Sequence, residues 1–344
     1  MRRIISFTLS IICVFSLCAC GGVETPTPIP DKETDFTTEN TPQIPDDTTD
    51  KEETTQPPEE TEPPIVVPDD EMIADKVEPE PTKFNIQLTF VGDVMLASYK
   101  NQTTSKSFNE YSNNKPPEYF FEKVYDIFAN DDFTTVNLEN VFTDQNLKES
   151  AKDHDPAYWY RSKTSNVNIL TSSSVEGVSL ANNHTYDYGQ TGYNDTVKTV
   201  SDAGLEYGTN NHTFYYEKNG YKIAVICHGL WGEWQADAII DRIKTAEKES
   251  DYQIVFYHGG KERVHAPESW KQRASRKLID NGADLVVGNH PHVLQPKEVY
   301  NGKEIIYSLG NFCFGGNSRP ENRTVIYQKN LVIDIETMTV IEET

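Results

Sequence analysis

From residue 84 onward the sequence predicts an α/β fold, a sheet of buried strands with helices packed outside it. Two observations carry this reading: short apolar runs of strand length recur along the chain, and segments with helical spacing separate them. A third bears on function. Polar residues that can bind metal follow at once after five of those runs, and open α/β sheets hold ligands at the carboxyl ends of their strands.

Taken in order, Ile86, Leu88 and Phe90 alternate at period two and run into Val91-Gly92-Asp93, a strand ending in a polar turn. Further strands are expected at Thr134–Leu138, Gly177–Leu180, Tyr221–Cys227, Gln253–Tyr257, Asp284–Val287, Ile305–Ser308 and Leu331–Ile335. Phe120, Val124, Ile127 and Phe128 share one face of a helix opened by Pro116-Pro117, and Tyr193, Val197 and Val200 share a face closed by Gly204. Ile239, Ile243 and Ala246 make a third helix; Trp270, Ala274 and Leu278 make a fourth that stops near Gly282.

The charge is unevenly spread. Of 344 residues with net charge −23, residues 21–83 hold 12 of the 19 prolines, 12 threonines and 19 Asp+Glu against 4 Lys, a local charge of −15. Removing that and the two positive charges of Arg2 and Arg3 leaves −10 for residues 84–344, which form one domain. Residues 21–83 have Phe36 as their one aromatic and no apolar periodicity, so they read as a disordered, extended acidic tether. An acidic chain without a Lys/Arg-rich run lacks the footprint of a nucleic-acid binder.

Arg2 and Arg3 precede the apolar stretch Ile4–Leu17, the layout of a secretory signal over residues 1–20. Leu17-Cys18-Ala19-Cys20-Gly21 resembles a bacterial lipobox, which implies that Cys20 carries lipid and holds the protein on the extracytoplasmic face of the cell membrane. Only Cys227 and Cys313 then remain in the domain, too few for a disulfide framework; both sit beside apolar residues and read as buried thiols.

The five clusters that follow strands are Gly92-Asp93-Val94-Met95, Asn137-Leu138-Glu139, Ala181-Asn182-Asn183-His184, His258-Gly259-Gly260 and Gly288-Asn289-His290-Pro291-His292. Singly each is weak, since an Asp after a strand is most often a turn or cap residue. Together they bring four of the eight histidines, two carboxylates and an Asn to strand ends that can lie side by side. Imidazole with carboxylate and amide oxygen suits a borderline divalent ion such as Mn, Fe or Zn. So many ligands exceed one tetrahedral ion and fit two ions bridged by a carboxylate.

The same motifs, with Ser179-Leu180-Ala181-Asn182-Asn183-His184, Asp187-Tyr188-Gly189 and Tyr307-Ser308-Leu309-Gly310-Asn311-Phe312, resemble the CapA capsule-synthesis (poly-γ-glutamate) family over residues 84–344. That family is similar to the calcineurin-like metallophosphoesterases, which implies a four-layer α/β/β/α sandwich with a two-metal site. By the resemblance, Asp93 and His292 would ligate one ion, Glu139 would bridge, and Asn183, His258 and His290 would hold the second. His184 would be the general acid, oriented by Asp187; Asn137 and Asn311 would be supporting donors, and Arg161 would clamp a substrate carboxylate. The chain departs from the phosphoesterase pattern at Met95, where a histidine is usual, at Glu139 in place of Asp, and at Gly259-Gly260 after His258.

Three functions are compatible with these residues. The first is a lipid-anchored, metal-dependent hydrolase or transferase acting on an anionic surface polymer, poly-γ-glutamate being the leading candidate. The second is a non-catalytic polymer- or metal-binding accessory of a membrane capsule-synthesis complex, and the third is a generic metallophosphodiesterase.

Overall fold

The computed structural model describes residues 81–100, 102, 105, 107–315 and 323–344. Residues 1–80, which hold the expected signal, Cys20 and nearly all of the expected tether, lie outside the described residues. The first half comprises β1 (Lys83–Met95), β2 (Ser98–Tyr99), α1 (Phe108–Asn114), α2 (Tyr125–Ala129), β3 (Phe133–Leu138), β4 (Val141–Phe142), β5 (Tyr160–Ser162), α3 (Asn168–Thr171), β6 (Gly177–Ser179), α4 (Gly189–Asp202) and β7 (Glu206–Gly208). The second half adds β8 (Thr213–Lys218), β9 (Tyr221–Gly229), α5 (Ala236–Ala246), β10 (Tyr252–His258), α6 (Ser269–Asp280), β11 (Leu285–Asn289), β12 (Leu294–Tyr300), β13 (Lys303–Leu309), β14 (Asn311–Phe314), β15 (Tyr327–Asp334) and β16 (Thr339–Glu343).

The result is a mixed α/β fold with two large sheets. One runs β16-β15-β1-β3-β6-β7, with β14 added along the end of β1; the other runs β12-β13-β11-β10-β9-β8; β2, β5 and β4 form a small third sheet. In each large sheet the central strands are parallel; the outer strands are antiparallel at both edges of the second sheet and on the β15-β16 side of the first, whose β7 edge is parallel. Parallel central strands deliver all their carboxyl ends to one rim, which is where the polar clusters of the sequence fall.

Alternation along the strands explains the packing. Ile86, Leu88 and Phe90 of β1 join Leu331 and Ile333 of β15 in one core with Ile223 and Val225 of β9, Ile254 and Phe256 of β10 and Val287 of β11. Residues of the opposite parity face helices. Val136, Leu138 and Val178 pack with Phe128, Leu170 and Val200, while Ile226, Val255 and Val286 pack with Ile239, Ile243, Ala274 and Leu278. Cys227 lies in the inter-sheet core, where burial pushes its thiol up to about 12, and both it and Cys313 are free.

Each expected strand is present within a few residues of its expected limits. Three of the four helices are as expected. The helix after Pro116-Pro117 is not continuous: Pro117–Phe120 makes a short 3-10 turn and α2 starts only at Tyr125. The reason is Phe121, off the expected face. It is buried, edge-on to Phe312 at 5.1 Å and Phe128 at 6.3 Å, and turning it inward breaks the helical path and leaves Ile127 38% exposed. The edge strands β8, β12 and β16 carry Glu, Lys and Thr between their apolar residues, so sequence periodicity does not single them out.

Candidate functional site: a buried metal-capable centre

β1 does not end as a plain strand. Its register with β3 shifts between Phe90 and Asp93, so Val91 and Val94 both face the helices and Asp93 is rotated toward the rim. Only glycine fits before the shift, because a Cβ on Gly92 would lie 1.9 Å from the Gly310 carbonyl oxygen. Asp93 then stands in register between Asn137 of β3 and Asn311 of β14.

From the facing sheet, His258 ends β10 in register with Asn289, the last residue of β11. Two residues of the next turn, His290 (φ 95°) and His292 (φ 55°), adopt left-handed backbone, uncommon for non-glycine residues. That turn brings both imidazoles into one space, and the His290 amide donates to the Asp93 carboxylate at 3.3 Å. Strain of this kind gathers where function holds it in place.

The expected ligands meet there, all nine-tenths or more buried except Asn183. His292 Nδ1 is 3.0 Å from Asp93 Oδ2 and 2.9 Å from Asn311 Oδ1. His258 Nε2 is 3.0 Å from His290 Nδ1 and 2.8 Å from Asn183 Oδ1. Glu139 Oε1 lies 3.6, 3.7 and 3.8 Å from His258, His292 and His184. Two three-residue groups, Glu139 with His290 and His292, and Asp93 with Glu139 and His258, each bring ligand atoms within 4.8 Å of one another. Glu139 belongs to both.

Glu139 also supplies the test of fit. It is 0% exposed, and neither of its carboxylate oxygens has a hydrogen-bond partner. Burial, with the nearby Asp93 charge, raises it well above the usual carboxylate range against the pull of His292. An unpaired buried carboxylate is costly unless a cation meets it. Around it, burial of Asp93 is outweighed by hydrogen bonds and charge from His258 and His292, which hold it low; His292 resists burial through Glu139 and Asp93 and is raised to about 10. His290 is pushed well below its ordinary value by burial and by the other two imidazoles. The residues fit a divalent cation.

His184 stands at the edge of this centre. Its Nδ1 is 2.8 Å from Asp187 Oδ2, which also accepts from the Tyr160 amide at 2.7 Å, so Nε2 is the atom left facing Glu139. Burial lowers its pKa although Asp187 pulls the other way. Asn137 and Asn311 are buried supports: Asn137 Nδ2 donates to Asp93 Oδ1 at 2.8 Å and lies 2.9 Å from His258 Nδ1. Arg161 is not brought to the centre. Its Nη1 donates to the Gln145 and Leu147 carbonyl oxygens at 2.9 and 3.4 Å, and it lines a separate depression. The register explains this: neighbours on β5 point to opposite sides, and it is Tyr160 that lies edge-on to His184 at 4.8 Å.

Several contacts were not anticipated. Lys152 Nζ is 2.6 Å from Asp187 Oδ1 and 3.4 Å from His184 Nδ1; Trp231, 40% exposed, stands edge-on to His290 at 4.9 Å; Phe314 lies 4.9 Å from His292. A cleft of about 540 Å³ lined by Lys152, Tyr158, Asn183, His184 and Glu262 opens onto the centre. None of these residues belongs to the five polar clusters read from the sequence, apart from Asn183 and His184.

Comparisons with known proteins place the chain in a family. The chain is 32% identical over 251 residues to the PGA biosynthesis protein CapA of Bacillus subtilis (strain 168), covering 67% of this chain and 63% of the relative. It is 29% identical over 254 residues to the capsule biosynthesis protein CapA of Bacillus anthracis, covering 67% and 60%. A probable polyglutamine synthesis accessory protein of Mycobacterium tuberculosis is 27% identical over 212 residues, covering 52% and 55%. The match thus spans less than two thirds of the length of each relative. The family model described as bacterial capsule synthesis protein PGA_cap matches residues 87–316, and the chain belongs to that family.

Proposed function

We propose that this protein is a metal-dependent hydrolase or transferase of capsule synthesis, acting on a carboxylate-bearing surface polymer of the poly-γ-glutamate kind and anchored through Cys20 to the extracytoplasmic face of the membrane. The observation that carries the reading is Glu139, buried without a hydrogen-bond partner where two potential ligand groups meet. The three cores, one between the sheets and one under the helices of each, support a four-layer α/β/β/α arrangement of the calcineurin-like type. The relatives' names support a capsule role.

Asp93, Glu139, Asn183, His258, His290 and His292 would hold one or two divalent ions, Mn, Fe or Zn by their donor chemistry. Such an ion supplies Lewis-acid polarisation of an acyl or phosphoryl oxygen. The chain's own part is proton handling and placement. With Nδ1 tied to Asp187, neutral His184 accepts a proton at Nε2, and Asp187 stabilises the resulting cation, which then donates to a leaving group at the cleft. Asn137 and Asn311 hold Asp93 and His292 in place.

Replacing His184 by Ala tests this. An enzyme loses about 10²- to 10⁴-fold in turnover of γ-linked glutamate polymer while keeping its metal. Unchanged polymer turnover at unchanged metal content would exclude His184 from the chemistry, and no turnover by the wild-type protein with any divalent ion would leave a binding protein.

A further inference from the structure

The cleft at the metal-capable centre has a neighbour. Across the small sheet lies a depression of about 730 Å³ whose lining includes Tyr99, Lys100, Arg161 and Lys163. The two are joined by a row of aromatic rings. Tyr99 of the depression is edge-on to Tyr158 of the cleft at 5.8 Å, Tyr158 is stacked with Tyr160 at 6.5 Å, and Tyr160 is edge-on to His184 at 4.8 Å. Tyr99 and Tyr158 are 40% and 44% exposed, so the row is an open ridge and not core.

The charges in the depression are unusual for a domain of net negative charge. Lys100 is paired with Glu149 at 2.8 Å, and Arg161 also attracts that carboxylate from farther off, but among the described residues the hydrogen bonds of Arg161 and Lys163 go to neutral groups. Arg161 rests on the Gln145 and Leu147 carbonyl oxygens, at 3.5 Å from Asn146 Oδ1 and over the Tyr188 ring at 5.0 Å; Lys163 donates to Asn113 Oδ1 at 3.1 Å. The remaining carboxylate, Asp144, accepts from the Thr164 amide and hydroxyl. Two positive charges whose hydrogen-bond partners are uncharged, at the end of an exposed tyrosine ridge, make a site for an anion that arrives along the ridge.

We infer that this depression is a distal subsite for a linear polycarboxylate whose reacting end lies in the cleft. The inference rests on the polymer reading above and extends it. Arg161 and Lys163 engage carboxylates, Tyr99 and Tyr158 contact the methylene stretches between them, and the chain direction runs from the small sheet toward His184. A γ-linked residue carries two more backbone bonds than an α-linked one and reaches beyond ~3.5 Å, so an occupant of both ends needs about three or more extended residues and the protein discriminates by length. It also gives a polyanion a local attraction that the overall charge denies it.

Equilibrium binding of fluorescently labelled γ-linked glutamate oligomers of two and twelve residues to the purified protein tests the subsite, with Lys163→Glu and Tyr99→Ala as variants. Both side chains are exposed, and unchanged melting temperatures and metal content check the fold. The twelve-residue oligomer is expected to bind at least tenfold more tightly than the dimer, with each variant losing at least fivefold of that advantage and leaving dimer binding as it was. The Lys163 effect should shrink as salt rises. Variants that bind the long oligomer like wild type, or a wild type that binds both lengths equally, overturn the subsite and leave the metal centre standing. A wild type that binds neither oligomer overturns the polymer reading itself.

Discussion

Replacing Glu139 by Gln separates what this residue does for the fold from what it does for the site. In the metal-free protein its carboxylate is buried, without a hydrogen-bond partner, and pushed well above the ordinary range by burial. A carboxyl group whose folded pKa exceeds its unfolded value contributes stability that is complete below the unfolded value and is lost as pH rises. At pH 8 the wild-type protein therefore bears that cost. The amide keeps the shape and removes the charge, so it should stabilise the chelated protein by ~1–3 kcal/mol, the scale for an unpaired buried polar group. For a domain of this size that is about 2–4 °C of melting temperature per kcal/mol. Metal acts the other way. A divalent ion at a hundred times its dissociation constant stabilises by about 2.7 kcal/mol, a rise of roughly 5–10 °C, and the Gln variant should lose most of it. Calorimetric melting at pH 8, in chelator and with added Mn, reads both effects. A variant that melts below wild type in chelator, or that keeps the full rise with Mn, would refute the assignment of Glu139 as a cation-binding carboxylate.

Two further outcomes follow from the same geometry. Lys271 is fully buried with Nζ 2.9 Å from Gln295 Oε1, and burial lowers it to about 7; the unfolded chain then binds the extra proton above that pH, so stability should climb by up to about 1.4 kcal/mol per unit from about pH 7 toward 10.5. Lys271→Met should flatten that slope in denaturant melts. Gly92→Ala would drive a Cβ to 1.9 Å from the Gly310 carbonyl oxygen, so a loss of about 1–3 kcal/mol and of metal content together is expected, since the shift it needs moves Asp93.

The rim was legible in the sequence because its chemistry is local. A polar residue placed directly after a buried run declares a strand end, and Asp93, Glu139, His258, His290 and His292 all do so. Parallel pairing then brings them together, as the rows Asp93–Asn137 and His258–Asn289 show. Contacts made across long stretches of chain leave no such mark. Lys152 reaches Asp187 from a loop 35 residues earlier, and Trp231 meets His290 from the loop after β9. Arg161, expected to clamp a substrate carboxylate, is turned by the alternation of β5 into the depression beyond the small sheet, and the side facing His184 goes to Tyr160. The break at Phe121 has the same origin: period alone points to Ile127, and contact with Phe312, nearly two hundred residues away, decides otherwise.

The most direct measurement is the metal-to-protein ratio of the purified protein by elemental analysis, after reconstitution with Mn or Zn, beside the Asp93→Ala and His290→Ala variants. A bimetallic centre around Glu139 gives close to two ions per chain, falling to one or fewer in each variant. No retained ion in the wild-type protein with either metal would contradict it.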